Sequence, residues 1–191
     1  MSFRGLVFVV GTAGSGKTEL SASLASWLRE EGEDVSIVNL DPGVRYLPYD
    51  PEVDAREYVD LEEIMGRYGL GPNGALLVAM DLLAGKLESI GEEIEKSKAS
   101  YVVVDTPGQM ELFAYRASGY YVARGLLPGA LRLMLFLFDG GFCRQPRGFV
   151  ATALLSAAMR LRFDLPMINV LNKADLLTRE ELRRELSLIH I

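Results

Sequence analysis

The feature that most constrains this chain is a glycine-rich loop between an apolar run and an amphipathic stretch. Residues 11–18 read Gly-Thr-Ala-Gly-Ser-Gly-Lys-Thr, which fits the pattern G-x-x-x-x-G-K-[ST]. The apolar run at 5–10 predicts a buried strand, and residues 17–31 have the periodicity of a helix. A strand, this loop and a helix in that order predict the first unit of an α/β domain that binds phosphate.

Each residue type in the loop serves the binding of a phosphate group. Glycines allow backbone N–H groups to converge on an anion without clashes from Cβ atoms, and the positive end of the following helix is directed at the same anion. We expect Lys17 to reach the β- and γ-phosphates and the Thr18 hydroxyl to bind Mg²⁺. A dinucleotide-binding motif fits less well, because no third glycine follows at the required place. The other residues predicted to bind the nucleotide here are Gly11, Thr12, Ala13, Gly14, Ser15 and Gly16.

Short apolar runs alternate with longer amphipathic stretches along the rest of the chain. Strands that are apolar on both faces belong to parallel sheets covered by helices, so the pattern predicts a three-layer α/β/α P-loop NTPase fold with a mostly parallel sheet. The segment 42–98 is long for one crossover and is read as an insertion with a break at 71–74. The predicted strands are 5–10, 34–40, 100–105, 132–139 and 167–171, and the predicted helices are 17–31, 54–68, 74–98, 110–124 and 146–163.

Acidic side chains follow two of the predicted strands at the edge of the sheet where ligands bind. Asp105 ends the third strand and Asp41 ends the second, so each could hold Mg²⁺ directly or through water. The backbone N–H of Gly108 could approach a γ-phosphate, and Gln109 and Glu111 could orient the attacking water. The alternatives are an ordinary Asp-Pro turn at Asp41 and solvated loop residues at 109 and 111.

The last predicted strand is followed by Asn172-Lys173-Ala174-Asp175. An aspartate in this position can accept hydrogen bonds from N1–H and the exocyclic amine of guanine, a donor pair that adenine lacks. The stem of Lys173 could cover one face of the base. The alternative is a helix cap at Asp175 without a ligand. Together with the phosphate loop, the motif predicts a guanine-nucleotide site formed by Asn172, Lys173 and Asp175.

The segments 11–18, 39–42, 71–73, 105–109, 165–170 and 172–175 together resemble the GPN-loop GTPases, and most closely the archaeal-type members. The resemblance covers nearly the whole chain. It implies a GTPase that uses Mg²⁺ and exists as a two-fold homodimer, in which Asn73 of one subunit reaches the phosphate region of the other. It also implies metal binding and water activation by Asp41, Asp105, Gln109 and Glu111. Eukaryotic relatives act in RNA polymerase assembly and nuclear import, so a role in assembling a multi-subunit complex is one expectation.

The chain departs from its relatives in two places. MinD-like relatives carry an additional lysine early in the phosphate loop, where this chain has Thr12 and Ala13. The family also continues past Asp175 with another strand, a second base-contacting loop and further helices. We therefore expect residues 1–185 to be a P-loop GTPase domain that lacks these elements, and 186–191 to be a non-native tail. Without the missing elements, part of the sheet and one wall of the guanine pocket would be uncovered.

Charge and composition bear on the partners and the cellular location of the protein. Asp and Glu number 26 against 20 Lys and Arg, which disfavours direct binding of nucleic acid. A single cysteine, Cys143, excludes a disulfide within the chain, and the N-terminal apolar run is too short for a signal sequence, so we expect a cytoplasmic protein that does not contact membranes. Two alternatives stay open: an ATPase of the same fold, and a nucleotide-dependent assembly factor with little turnover.

Overall fold

A six-stranded sheet, in which neighbouring strands are all parallel, forms the centre of the protein. The computed structural model describes residues 5–189, apart from the side chains at 111, 112, 185 and 189. The strand order is β3-β2-β4-β1-β5-β6, so β1 lies in the interior with β4 and β5 as its neighbours. The strands are β1 (Gly5–Gly11), β2 (Val35–Asn39), β3 (Val53–Asp54), β4 (Tyr101–Asp105), β5 (Arg132–Asp139) and β6 (Met167–Asn172).

Helices cover both faces of this sheet, which confirms the predicted α/β class. Alternation along β1 sends Phe8 into a large apolar cluster on one face and Val9 into a smaller cluster beneath α1 on the other. Among residues 5–189, no helix is long and apolar enough to cross a membrane. The helices are α1 (Lys17–Glu30), α2 (Ala55–Tyr58), α3 (Leu61–Tyr68), α4 (Pro72–Ala84), α5 (Leu87–Ser97), α6 (Met110–Ala114), α7 (Ala117–Gly125), α8 (Gly140–Cys143), α9 (Pro146–Phe163) and α10 (Arg179–Ile189).

The insertion after β2 contains more elements than predicted. A two-residue strand, β3, pairs with the end of β2 and was not expected, because so short a strand has no recognisable pattern. The predicted helix 54–68 is two helices, since Asp60 accepts hydrogen bonds from the backbone of Glu62 and Glu63 and caps α3. The predicted helix 74–98 is likewise interrupted between α4 and α5.

The predicted break at 71–74 is misplaced. Gly69 ends α3 in the left-handed conformation with φ of 62°, and Pro72 then occupies the first turn of α4. Proline is favoured there because a backbone N–H in the first turn of a helix has no partner within the helix, so a residue without an N–H loses no hydrogen bond. The φ of proline also already suits a helix. The Gly-Pro-Asn tripeptide therefore begins a helix, and Asn73 lies in its first turn.

The predicted helix 110–124 is also two helices, α6 and α7, which pack closely against each other. A Cβ atom at Gly119 would lie 1.9 Å from the carbonyl oxygen of Phe113, so only glycine permits this approach. The Phe113 ring is buried and stacks on Phe163 with 5.5 Å between ring centroids. This contact fixes the helices that follow Gln109 against the core.

Candidate nucleotide-binding site

The phosphate loop connects β1 to α1, as the sequence predicts. Gly14 and Gly16 have φ of 73° and 90°, a region that favours glycine, and Gly16 immediately precedes the helix. Lys17 is only 5% exposed, and its ammonium group donates to the carbonyl oxygens of Gly11 and Thr12, both at 3.0 Å. The ammonium group is thus held over the loop that is predicted to bind the phosphates of a nucleotide.

A third hydrogen bond from Lys17 links the loop to the segment after β4. The ammonium group donates to the carbonyl oxygen of Gly108 at 3.2 Å, which brings the Asp105–Gly108 turn beside the phosphate loop. The structure therefore places Lys17, Gly108 and Asp105 at one end of neighbouring strands, where the carboxyl ends of β1 and β4 meet.

Asp105 lies deep in this end of the sheet. The residue is 1% exposed, and its Oδ2 accepts a hydrogen bond from the Tyr49 hydroxyl at 2.8 Å. Burial raises the pKa of the Asp105 carboxyl, although the nearby Thr18, Tyr49 and Lys17 oppose that rise. Within the described part of the chain, the buried Oδ1 atom has no hydrogen-bond partner.

Asp41 lies two residues beyond the end of β2 and contacts the same turn. Its Oδ2 accepts from the backbone N–H of Gly108 at 2.7 Å, and its Oδ1 accepts from that of Gly43 at 2.9 Å. Asp41 is therefore close to Gly108, but it occupies the N–H group that we predicted for a γ-phosphate.

A buried amide sets the position of Asp41. Asn39 accepts from the Asp41 backbone N–H at 2.9 Å and donates to the Asp41 carbonyl at 3.2 Å and to Asp54 Oδ1 at 2.9 Å. Burial alone would raise the pKa of Asp54, but hydrogen bonds from Arg56 and Asn39 outweigh it and the pKa is lowered. The ionised Asp54 thereby anchors Asn39, and Asn39 holds the backbone that carries Asp41.

The base-reading motif joins the phosphate loop through two side chains. Asn172 Nδ2 donates to the Ser15 carbonyl at 2.8 Å, and Lys173 Nζ donates to the Gly14 carbonyl at 2.6 Å. A Cβ atom on Gly16 would lie 2.5 Å from Asn172 Nδ2, so the fit depends on glycine. Asp175 follows in an exposed 3₁₀ turn, Ala174–Leu176, next to this contact.

Lys173 is fixed from its other side by an acidic residue that sequence reasoning missed. Its ammonium group lies 2.6 Å from Asp139 Oδ2, at the end of β5. Burial would raise the pKa of Asp139, but the hydrogen bonds from Lys173 and from backbone N–H groups lower it. A carboxylate at a strand end was the signal used for Asp105, and it could have identified Asp139 as well.

The predicted water-orienting residues, Gln109 and Glu111, follow Gly108 along the chain. Gln109 Nε2 donates to Asn73 Oδ1 at 3.2 Å, so the Gly-Pro-Asn segment contacts the turn after β4 within one chain. Glu111 belongs to α6, and its side chain lies outside the described residues. The roles of Gln109, Glu111 and Asn73 stay predictions.

The arrangement of oxygen atoms fits a magnesium nucleotide. Four buried side-chain oxygens have no hydrogen-bond partner among residues 5–189, which is unusual for buried polar atoms, and two of them, Ser15 Oγ and Asp105 Oδ1, lie at this site. Thr18, Asp41 and Asp105 offer the hard oxygen atoms that Mg²⁺ prefers. No group of three His, Cys, Asp or Glu side chains in the described residues could hold a metal ion by itself, so oxygen atoms of phosphate and water would complete the coordination.

Comparison with known proteins gives the chain a family. Residues 9–189 match a family described as "Conserved hypothetical ATP binding protein". A Pyrococcus abyssi protein, GPN-loop GTPase PAB0955, is 39% identical over 181 residues, which are 94% of this chain and 71% of that protein. Its apo crystal structure superposes with a TM-score of 0.82, covering 95% of this chain and 72% of that one.

More distant similarities agree on the fold. GPN-loop GTPase 2 homolog from Dictyostelium discoideum is 35% identical over 170 residues, which cover 88% of this chain and 54% of that protein. The chain therefore spans about half the length of this relative. FtsY from Mycoplasma mycoides, at 14% identity, shares the fold with a TM-score of 0.55 over 99% of this chain and 58% of its own. Because the chain is 39% identical to a GPN-loop GTPase over most of its own length and over 71% of that protein, it belongs to the GPN-loop GTPase family.

Proposed function

We propose that the protein binds GTP with Mg²⁺ and hydrolyses it to GDP and phosphate. The observation that carries this proposal is the contact between the phosphate loop and the base-reading motif, made by Asn172 on Ser15 and by Lys173 on Gly14. Asp175 follows Lys173 by two residues, so we infer that one nucleotide could reach both the loop and Asp175. The similar proteins are named GTPases, which supports the same function.

The choice of base rests on Asp175. The matched family is described as ATP-binding, whereas the similar proteins are named GTPases. We favour guanine because a carboxylate accepts from both N1–H and the exocyclic amine of that base and finds no such pair on adenine. The exposed position of Asp175 leaves its carboxylate accessible to a base.

The phosphate end would be stabilised by groups that the fold already orients. Lys17 would exchange its hydrogen bonds with loop carbonyls for phosphate oxygens, and the amides of the loop at the start of α1 would bind the same anion. Thr18, Asp41 and Asp105 would hold Mg²⁺, which neutralises charge that develops on the phosphates. Gln109 and Glu111 would position the attacking water.

The contact between Asp41 and Gly108 supports a nucleotide-dependent change. In the structure the Asp41 carboxylate occupies the Gly108 N–H. A γ-phosphate that took this N–H would release Asp41, which would then be available to the metal. Hydrolysis would restore the first arrangement, so the segments after β2 and β4 would act as a switch.

We further propose that the switch works in a homodimer. The exposed pair of Asn73 and Gln109 could exchange its contact within one chain for a contact between subunits when two copies meet. As its client we propose a multi-subunit complex such as RNA polymerase. The acidic balance of the chain argues against direct binding of nucleic acid. We also propose a cytoplasmic location, because a chain with a single cysteine, the buried Cys143, suits a reducing compartment.

Replacing Asp175 with asparagine tests the guanine assignment. We expect Asp175→Asn to weaken GTP binding by roughly 30-fold, because an amide offers one acceptor and one donor where guanine presents two donors; this is about 2 kcal/mol. The variant should gain affinity for XTP, because xanthine presents N1–H and a carbonyl at position 2. The measurement is competition against a fluorescent GDP analogue by GTP, XTP and ATP.

Asp164→Asn provides a matched control, because this side chain is 95% exposed and the residue has φ of 48°, which asparagine tolerates. It should keep the nucleotide preference of the parent. Unchanged GTP preference in Asp175→Asn would contradict the assignment, and equal binding of ATP and GTP by the parent would favour the ATPase alternative.

A further inference from the structure

Tyr49 makes a polar contact that the sequence did not indicate. Its hydroxyl donates to Asp105 Oδ2 at 2.8 Å. This hydrogen bond joins the segment between β2 and β3 to the end of β4. A phenol hydroxyl carries its proton at neutral pH, so Tyr49 is the donor and the carboxylate is the acceptor in this hydrogen bond.

The Tyr49 ring is held in place by the core. It packs on the apolar cluster beneath α1 that contains Val9, Ile37 and Val103. The backbone beyond it is tied down as well, because the N–H of Glu52 donates to the carbonyl of Ile37 at 2.8 Å. A side chain anchored in this way can direct its hydroxyl at one place only.

The hydrogen bond makes the two oxygens of Asp105 unequal. Oδ2 is occupied by Tyr49, whereas Oδ1 is buried and has no hydrogen-bond partner among the residues described. Thr18, which we assign to the metal, contributes a side-chain hydrogen bond to the Asp105 carboxyl, and the charge of Lys17, which we assign to the phosphates, acts on it as well. Oδ1 is thus the oxygen left for an additional ligand.

We propose that Tyr49 is a positioning residue, which fixes the Asp105 carboxylate by its Oδ2 so that Oδ1 is presented to the Mg²⁺ of the bound nucleotide. The inference rests on the proposed function, because it needs a magnesium nucleotide in the site. Partners of this kind orient a ligand without touching the metal, and their loss typically lowers metal affinity 10- to 100-fold. Tyr49 also ties Asp105 to the segment that carries Asp41, so both acidic groups depend on one stretch of chain.

Tyr49→Phe tests the proposal, because it removes one oxygen and leaves the ring packed. The matched control is Tyr46→Phe in the same segment, where the side chain is 76% exposed. The readout is Mn²⁺ binding to the protein–GDP and protein–ADP complexes, followed by electron paramagnetic resonance, together with nucleotide affinity in the absence of metal. We expect Tyr49→Phe to bind Mn²⁺ about tenfold more weakly. Nucleotide affinity without metal should be unchanged, and Tyr46→Phe should behave as the parent does.

Each outcome bears on the proposal. If Tyr49→Phe binds Mn²⁺ within twofold of the parent, the proposal is overturned. It is also overturned if the variant loses as much metal-free nucleotide affinity as Mn²⁺ affinity, or if it does not fold, because either result would show a purely structural role. If the parent binds ADP but not GDP, the guanine assignment fails while Tyr49 is still tested on the ADP complex. If the parent binds neither nucleotide, both proposals fail.

Discussion

Lys17→Ala should weaken binding of GTP with Mg²⁺ at least about 100-fold, because two charge-assisted hydrogen bonds to phosphate are lost and each contributes about 1.5–3 kcal/mol. The ammonium group is buried and already held over the loop by the carbonyls of Gly11, Thr12 and Gly108. Within residues 11–18 there is no second lysine that could replace it, since Thr12 and Ala13 are uncharged. The measurement is titration with a fluorescent GTP analogue.

Lys96→Ala is the control for this variant, since it removes the same charge from an exposed position on α5. It should bind GTP as the parent does. Thermal unfolding should show that both variants are folded. Near-normal GTP affinity in folded Lys17→Ala would contradict the assignment of the loop as the phosphate site.

Gly119→Ala should lower the free energy of unfolding by about 3 kcal/mol, the upper end for overpacking in a core. The new Cβ would lie 1.9 Å from the carbonyl oxygen of Phe113, and it would meet backbone that cannot rotate away. The α6–α7 contact would have to open, and the buried Phe113 ring would lose part of its packing on Phe163. In a domain of this size we expect the melting temperature to fall by roughly 6–12 °C.

Gly66→Ala is the matched comparison, because Gly66 also lies in a helix but a Cβ there would meet no atom within 4 Å. It should raise the free energy of unfolding by about 0.5–1 kcal/mol, since alanine loses less backbone entropy than glycine. The two changes are thus expected to have opposite signs. A Gly119→Ala protein as stable as the parent would show that α6 and α7 do not pack as described.

The sequence predicted the sheet and its ligand-binding edge because both have strong local signals. Runs of apolar residues on both faces identified five strands to within two residues at each end, including Arg132–Asp139 at its full length. The phosphate loop could be placed from its glycines and Lys17 alone, and it lies between β1 and α1 as expected.

What could not be predicted depends on contacts between distant segments. Strand β3 has two residues, and its pairing with β2 is accompanied by the hydrogen bond from Asn39 to Asp54. The split of helix 110–124 depends on the approach of Gly119 to Phe113, which no periodicity reveals. The hydrogen bond of Tyr49 to Asp105 joins residues 56 positions apart, and the sequence around Tyr49 carries no motif that indicates it.

One arrangement differs from what the motifs implied. We expected the Gly108 N–H to face a γ-phosphate and Asp41 to face a metal ion, yet the two groups are hydrogen-bonded to each other. A motif identifies which groups can bind a ligand, but it does not show which hydrogen bonds these groups make with one another when the ligand is not bound. The hydrogen bond between these two part-buried groups satisfies both of them.

The most direct test of the account is titration of the protein with GTP and with ATP in the presence of Mg²⁺, following binding and phosphate release together. We expect tighter binding of GTP, and phosphate release that falls in Gln109→Ala while binding is kept. Binding of GTP without release would indicate a switch or assembly factor with little turnover. Equal binding of the two nucleotides would contradict the proposed guanine site. Phosphate release that does not change in Gln109→Ala would contradict the proposed role of Gln109.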